Sequence, residues 1–173
     1  MNVILCGMMG AGKTTIGIKI AEHTGRRWYD TDGMIVDRHG KISDIFEYYG
    51  EEYFRKIETE IVKELSKQDG LVVSTGGGLV LKSENDKLLQ ENGKIVFLRA
   101  SLDTLAERLK VDGTRPLLQT STETIRDRLA KLLEERSPVY ESVADYIVDV
   151  DGKSPDEIAE EVIEILKLNG AGI

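Results

Sequence analysis

Residues 3–14, VILCGMMGAGKT, join a short apolar run to a glycine-rich turn. Residues 7–14 of this stretch match the P-loop pattern G-x-x-x-x-G-K-[ST]. The apolar run predicts a buried parallel strand, and Ile16 and Ile20 at helical spacing predict a helix directly after the turn. Strand, glycine turn and helix in this order are the context that a phosphate-binding loop requires, so a chance glycine turn is disfavoured.

The glycine turn supplies the donors that the phosphates of a nucleotide need. Inward-pointing backbone N–H groups form an anion nest, and the N-terminus of the following helix adds its positive dipole. Lys13 is expected to reach the β- and γ-phosphates, and the Thr14 hydroxyl is expected to bind Mg²⁺. The predicted nucleotide-binding residues of this segment are Gly10, Ala11, Gly12, Lys13, Thr14 and Thr15.

The rest of the chain alternates between strand and helix patterns, which predicts a parallel sheet with helices on both faces. Residues 110–120 interrupt the alternation and are interpreted as a long mobile loop. Further strands are predicted at 27–29, 71–73, 95–98 and 146–148. Helices are predicted at 42–46, from about 51 to 65, at 81–90, at 102–109, from 125, and from 155 with Ser154 as its cap.

Composition limits the classes of function. The 173 residues suit a single domain spanning 1–173, and a net charge of −8 argues against binding nucleic acid through its phosphates. The single cysteine, Cys6, excludes a disulfide framework and a multi-cysteine metal site. No apolar run approaches the ~20 residues that span a bilayer, and the N-terminus lacks the features of a signal peptide. We therefore expect a cytoplasmic protein with no membrane partner.

Several polar residues outside the glycine turn are candidates for chemistry. Asp30 and Asp32 follow the second predicted strand, where one carboxylate can approach Mg²⁺ and the other can accept a proton, although D-x-D is also common in solvated turns. Arg55 and Glu58 are spaced to pair on one helix face, either as a surface salt bridge or with Glu58 orienting Arg55 toward an anion. The run Gly76-Gly77-Gly78 suits close approach of backbone to a ligand.

Taken in order, these motifs resemble the shikimate kinase family over residues 3–166. The resemblance implies a three-layer P-loop fold of the nucleoside-monophosphate-kinase type, with a five-stranded parallel sheet in the order 2-3-1-4-5 and a mobile lid. It also implies transfer of the γ-phosphoryl group of ATP, with Mg²⁺, to the 3-hydroxyl of shikimate in aromatic amino acid (chorismate) biosynthesis. The matching segments are 7–14, 30–32, 50–55, 74–78, 114–118 and 136–140.

The resemblance also assigns roles to residues. Asp32 is implied as the proton acceptor, Arg55 and Arg136 as ligands of the substrate carboxylate, and Arg115 as a catalytic arginine in a lid at about 110–120. A substrate-binding region at about 31–60 is implied as well. The remaining assignments are Asp30 with Thr14 at the metal, Arg108 and Pro155 near the adenine, and Phe46, Phe54, Gly76, Gly77 and Gly78 around the substrate.

Two other functions remain open at this point. A kinase of the same fold could use gluconate or a nucleoside monophosphate as its acceptor. A nucleotide-dependent switch would bind a protein partner and transfer no phosphoryl group to a small alcohol, but the chain lacks an Asn-Lys-x-Asp guanine motif. We expect shikimate and ATP as the small-molecule partners of a monomer.

Overall fold

A single parallel sheet organises the protein. The computed structural model describes residues 1–110 and 124–168. Its five strands pair in the order β2-β3-β1-β4-β5, and every pair is parallel. The predicted sheet and strand order are therefore confirmed. The strands are β1 (Asn2–Cys6), β2 (Arg27–Asp30), β3 (Leu71–Ser74), β4 (Gly93–Arg99) and β5 (Tyr146–Asp149).

Helices connect the strands and cover the sheet. All residues of β1 and β3 are buried. Because successive side chains of a strand point to opposite faces, both faces must be covered, which makes three layers. No helix within 1–110 and 124–168 is long and apolar enough to cross a membrane. The helices are α1 (Lys13–Thr24), α2 (Thr31–His39), α3 (Ile42–Leu65), α4 (Ser83–Glu91), α5 (Leu102–Lys110), α6 (Ile125–Val143) and α7 (Pro155–Ile165), with a 3₁₀ helix at Leu79–Leu81.

The helices differ from the predicted pattern in two places. The helix α2 is not predicted, because it buries only Thr31 and Ile35 and therefore shows no apolar stripe. The two helices predicted on either side of residue 50 are joined as α3, with a kink at Gly50 where the backbone has φ 82° and ψ 172°. This kink turns the first part of α3, which carries Phe46, relative to the part that carries Arg55.

The strand register brings the polar strand ends together. Asp30 at the end of β2 lies opposite Ser74 of β3, and Leu5 of β1 lies opposite the same serine. The P-loop after β1, the Asp30 carboxylate and the glycine run after β3 therefore leave the sheet at one edge. Ligands of open α/β sheets bind at this carboxyl edge of the strands.

Candidate active site

The P-loop connects β1 to α1. Gly7 has φ 142°, and a Cβ at this position would lie 2.7 Å from the carbonyl oxygen of Leu98, so only glycine fits. Gly12 caps α1 in a left-handed conformation without a side chain. The first N–H groups of α1 therefore face the concave side of the loop and are available to an anion. Lys13 Nζ donates to the carbonyl oxygens of Gly7 (2.6 Å) and Met8 (3.0 Å), which holds the ammonium group against the loop.

Ser74 ends β3 at a position where many P-loop proteins carry an acid. Its hydroxyl donates to the carbonyl oxygen of Lys13 at 2.7 Å and accepts from Trp28 Nε1 at 3.0 Å. This serine therefore anchors the start of α1 to the sheet. The acid near the phosphate site comes from β2 instead.

Asp30 is that acid, and its two carboxylate oxygens have different partners. Oδ1 accepts from the backbone N–H of Gly33 at 3.0 Å and thereby caps α2. Oδ2 accepts from the Thr14 hydroxyl at 2.9 Å. One hydroxyl and one carboxylate oxygen beside the phosphate loop fit Mg²⁺, which prefers oxygen and is usually held by few protein ligands together with the phosphates. No group of three His, Cys, Asp or Glu side chains among the described residues could hold a metal by itself.

One cavity of about 920 Å³ joins the P-loop to the region after β3. Most of the predicted site residues line it. Residues predicted to bind the phosphoryl donor and residues predicted to bind the acceptor therefore share one cavity. Ala11 is fully buried and does not line the cavity, and Arg115 with most of the predicted lid falls outside the described residues. The predicted residues that line it are Gly10, Gly12, Lys13, Thr14, Thr15, Asp30, Asp32, Phe46, Phe54, Arg55, Gly76, Gly77, Gly78, Arg108, Arg136 and Pro155.

The three glycines after β3 each face a different functional side chain. A Cβ at Gly76 would lie 2.5 Å from Oδ1 of Asp32, and a Cβ at Gly78 would lie 2.5 Å from Nη2 of Arg55. At Gly77 the nearest atom would be Nη1 of a third side chain, Arg136, at 3.1 Å. None of these glycines has a positive φ, so the run is explained by the space that it leaves for side chains and not by its backbone conformation.

The Arg55–Glu58 pair is not a surface salt bridge. Arg55 Nη1 donates to Glu58 Oε2 at 2.7 Å, and the Glu58 side chain is only 1% exposed. Burial raises the pKa of the Glu58 carboxyl, and the adjacent Arg55 opposes that rise. Burial of Arg55 works to lower its own pKa, but the charges and hydrogen bonds of Glu58 and Glu51 together outweigh it and the pKa is raised. Arg55 is therefore a fixed cation whose position Glu58 determines.

Charges of both signs meet around Glu58. Besides Arg55, the charges of Asp32 and Arg136 also act on the Glu58 carboxyl, the first raising its pKa and the second lowering it. Four charged side chains from α2, α3 and α6 thus lie in one cluster at the cavity. Two cations and two carboxylates in this cluster form a site for a ligand with both an acid group and hydroxyl groups.

An aromatic wall completes this end of the cavity. The rings of Phe46 and Phe54 lie 4.8 Å apart, one on each side of the kink in α3. The Arg55 guanidinium carbon lies 5.4 Å from the centre of the Phe54 ring, a favourable cation–π arrangement.

Arg108 and Pro155 are two further residues that line the cavity. Arg108 Nη1 donates to the carbonyl oxygen of Gly10 at 3.0 Å. Pro155 is the first residue of α7, where the Ser154 hydroxyl accepts from the N–H of Glu157.

Tyr140, a buried residue beside the site, was not predicted as functional, whereas Arg136 on the same helix was. Arg136 lies inside α6 and not at a helix end, because the helix continues through Pro138 to Val143. Tyr140, one turn after Arg136, is fully buried and its hydroxyl donates to the carbonyl oxygen of Gly77. The spacing of four residues on one helix is the signal that could have linked it to Arg136.

Comparison with known proteins identifies the family. Residues 9–167 match the family model of shikimate kinase. The chain is 43% identical over 165 residues to the shikimate kinase of Caldicellulosiruptor bescii, covering 95% of this chain and 94% of that protein. It is 43% identical over 164 residues to the enzyme of Thermodesulfovibrio yellowstonii, covering 94% and 93%. The shikimate kinase from Acinetobacter baumannii, solved in complex with shikimate, superposes with a TM-score of 0.90 at 35% identity, covering 96% of this chain and 92% of that one.

Proposed function

The chain belongs to the shikimate kinase family of ATP-dependent kinases, and we propose that it transfers the γ-phosphoryl group of ATP to the 3-hydroxyl of shikimate. One observation carries the proposal. One cavity is lined both by the P-loop and by Asp32, Arg55 and Arg136. A carboxylate-bearing polyol bound there would present a hydroxyl to the phosphate loop.

Recognition of the acceptor is assigned to the charged cluster. Arg55 and Arg136 bind the shikimate carboxylate, since a guanidinium group matches a carboxylate with two parallel hydrogen bonds. Phe46 and Phe54 contact the apolar side of the ring. Asp32 accepts hydrogen bonds from the hydroxyl groups, and the run 76–78 forms the floor of the pocket.

Binding of the donor is assigned to the P-loop side. The backbone N–H groups of the loop and Lys13 hold the phosphates, and Arg108 and Pro155 flank the adenine. Thr14 and Asp30 would hold Mg²⁺, directly or through water. When bound, the ion neutralises charge on the phosphates.

Chemistry at this site requires positioning more than covalent catalysis. The acceptor oxygen forms a bond to the γ-phosphorus as the bond between that phosphorus and the β-phosphate oxygen breaks, and ADP leaves. Asp32 accepts the proton that the hydroxyl loses. Lys13 stabilises the negative charge on the transferring group.

The boundaries of the site remain predictions. We propose one kinase domain over 1–173, with 31–60 as the acceptor-binding region and Arg115 in a lid at about 110–120 that closes over the phosphates. A monomer in the cytoplasm stays the prediction of the sequence.

A substrate panel tests the proposal. ADP release is measured with shikimate, gluconate and nucleoside monophosphates as acceptors, and we expect turnover with shikimate to exceed the others by orders of magnitude. Equal or faster turnover with another acceptor would overturn the assignment. If no acceptor is phosphorylated and a protein partner binds only with nucleotide present, the chain is a switch instead.

Arg136→Ala tests the carboxylate site separately. The carboxylate is held both before and during transfer, so the KM for shikimate should rise about 10–100-fold while kcat changes little. Arg26→Ala is the matched control, because Arg26 donates to the Met1 carbonyl oxygen at the opposite edge of the sheet. An unchanged KM in Arg136→Ala would show that Arg136 does not bind the acceptor.

A further inference from the structure

Tyr140 occupies a fully buried position between the sheet and the acceptor end of the cavity. It lies on α6, and its ring packs against Phe97 of β4 with 5.1 Å between ring centres. Its hydroxyl donates to the carbonyl oxygen of Gly77, in the glycine run. The guanidinium of Arg136 lies on the same side of Gly77, since a Cβ there would lie 3.1 Å from Nη1 of Arg136 and 3.8 Å from the phenol oxygen. Its positive charge acts on that hydroxyl and works to lower its pKa. The Gly77 carbonyl already satisfies the buried hydroxyl, so the nearby Arg136 is a second polar neighbour that burial alone does not require.

The hydrogen-bond roles at this hydroxyl are determined by chemistry. A phenol has one proton, and the Gly77 carbonyl takes it because a carbonyl oxygen only accepts. A guanidinium group only donates, so a hydrogen bond between these two side chains runs from Arg136 to the phenol oxygen. The Tyr140 hydroxyl is bound to Gly77 and is thereby placed beside the guanidinium of Arg136. Burial raises the pKa of Tyr140 to about 12, although Arg136 opposes the rise, so the hydroxyl keeps its proton at neutral pH.

The surroundings leave Arg136 little freedom. A Cβ at Gly77 would lie 3.1 Å from Nη1 of Arg136, so the guanidinium already lies against the bare backbone on that side. The phenol oxygen supplies a fixed acceptor, and a long arginine side chain without one samples many rotamers. Removing the hydroxyl leaves the space intact and removes the acceptor.

We propose that Tyr140 is a positioning residue of the acceptor site: it holds the Arg136 guanidinium against Gly77 in the orientation that binds a carboxylate. The proposal rests on the proposed function, because it takes Arg136 as the ligand of the substrate carboxylate. Tyr140 acts only through Arg136 and Gly77 and has no contact with the phosphoryl group. Its loss therefore affects recognition of the acid end of the acceptor and leaves the transfer step unchanged.

The test is Tyr140→Phe, which keeps the ring and its packing on Phe97. With shikimate varied, we expect the KM to rise about tenfold, as for loss of one hydrogen bond to a charged group, while kcat and the KM for ATP stay within about twofold. Tyr146→Phe is the matched control, since it removes a hydroxyl from the start of the exposed edge strand β5. Ile95→Val, in the buried part of β4, controls for a general loss of stability, and its melting temperature is compared with that of Tyr140→Phe.

A double-mutant cycle distinguishes positioning from packing. The kcat/KM for shikimate, which is measurable from initial slopes without saturation, is compared for wild type, Tyr140→Phe, Arg136→Ala and the double variant. If Tyr140 acts through Arg136, the hydroxyl deletion has no further effect once Arg136 is alanine. Equal factors in both backgrounds would overturn the proposal and leave Tyr140 a packing residue.

The two proposals fail in different ways. Turnover of shikimate by the wild type with an unchanged KM in Tyr140→Phe overturns the positioning role alone. A rise in KM of similar size in Ile95→Val also overturns it, because lowered stability would then explain the effect. Absence of shikimate turnover by the wild type refutes the proposed function, and the positioning role falls with it.

Discussion

Replacing the glycines of the run 76–78 by alanine, one at a time, should displace the side chain that lies against each glycine, and the structure gives the size of each displacement. In Gly76→Ala the new Cβ meets Asp32, and in Gly78→Ala it meets Arg55. Each of these side chains must retreat from 2.5 Å to at least 3.4 Å, where ordinary contacts begin. Neither glycine has a positive φ, so the effect is one of displacement and not of backbone strain.

The displacement of Arg55 has a calculable consequence. Its bond to Glu58 is 2.7 Å long and would lengthen beyond hydrogen-bond range if the guanidinium retreated by that distance. Glu58 is buried, and an unsatisfied buried group costs about 1–3 kcal/mol. A misplacement of about 1 Å can itself cost about 10²-fold in rate. We therefore expect kcat/KM for shikimate to fall about 100-fold in Gly78→Ala, mainly through KM.

The three glycine variants are expected to differ in which kinetic parameter changes and in how large the change is. Gly76→Ala displaces the proposed proton acceptor, so its loss of about 100-fold should appear in kcat. Gly77→Ala needs Arg136 to move by only a few tenths of an ångström from 3.1 Å, and its loss should stay below about tenfold. The assay is ADP release with shikimate varied at saturating ATP.

Gly33→Ala is the matched control, because its Cβ would meet nothing closer than 3.6 Å and its φ is not positive. We expect its kcat/KM to stay within about twofold of wild type, with some gain in stability since alanine favours the helix α2. Equal losses at 76, 77 and 78, or the largest loss at Gly77, would refute the reasoning that this run leaves room for side chains.

Three further predictions concern other parts of the site. Lys13→Ala should lower kcat about 10²–10³-fold, because it removes a cation that stabilises the phosphoryl group in the transition state of transfer. An ADP-release assay in which kcat stays normal would contradict this. Folding raises the pKa of the Glu58 carboxyl, so its ionisation above about pH 4.5 lowers the free energy of unfolding of the wild type. Glu58→Gln does not ionise, and its free energy of unfolding should therefore rise relative to that of wild type as the pH increases. Denaturation curves in which this difference is constant or reversed would exclude a raised pKa. Burial raises the pKa of Cys6 to about 12, so this single thiol should not react with a disulfide reagent at pH 8 until the protein is unfolded, and stoichiometric labelling of the native protein would disprove it.

The phosphate side of the site could be predicted because its parts are contiguous in sequence. Residues 7–14 contain the strand end, the glycines, the lysine and the threonine, and local geometry alone determines how they fold. The strand order was implied by the family resemblance and agrees with the observed sheet. The pairing of Thr14 with Asp30 is different, because it depends on β2 lying beside β3, which no local pattern specifies.

The acceptor side could be predicted as a set of residues but not as an arrangement. Arg55 with Glu58 left two interpretations open, since spacing on a helix does not tell a buried pair from an exposed one. Only the packing of α3 against the glycine run shows that Glu58 is buried. The helix α2 was missed because Asp30 and Asp32 suggested a turn, whereas Asp30 caps a helix that has little apolar surface.

The glycine run links the set of residues predicted from the sequence to their arrangement in the structure. Three consecutive glycines in the sequence predict that a ligand approaches the backbone closely. The structure adds that the absent side chains make room for Asp32, Arg55 and Arg136, which arrive from three different helices. A site assembled from such distant segments needs one shared reference surface, and a bare backbone anchored to the end of β3 supplies it. The Tyr140 hydroxyl bound to the Gly77 carbonyl then fixes that surface to α6, so the position of one arginine depends on a residue that lies outside the cavity lining.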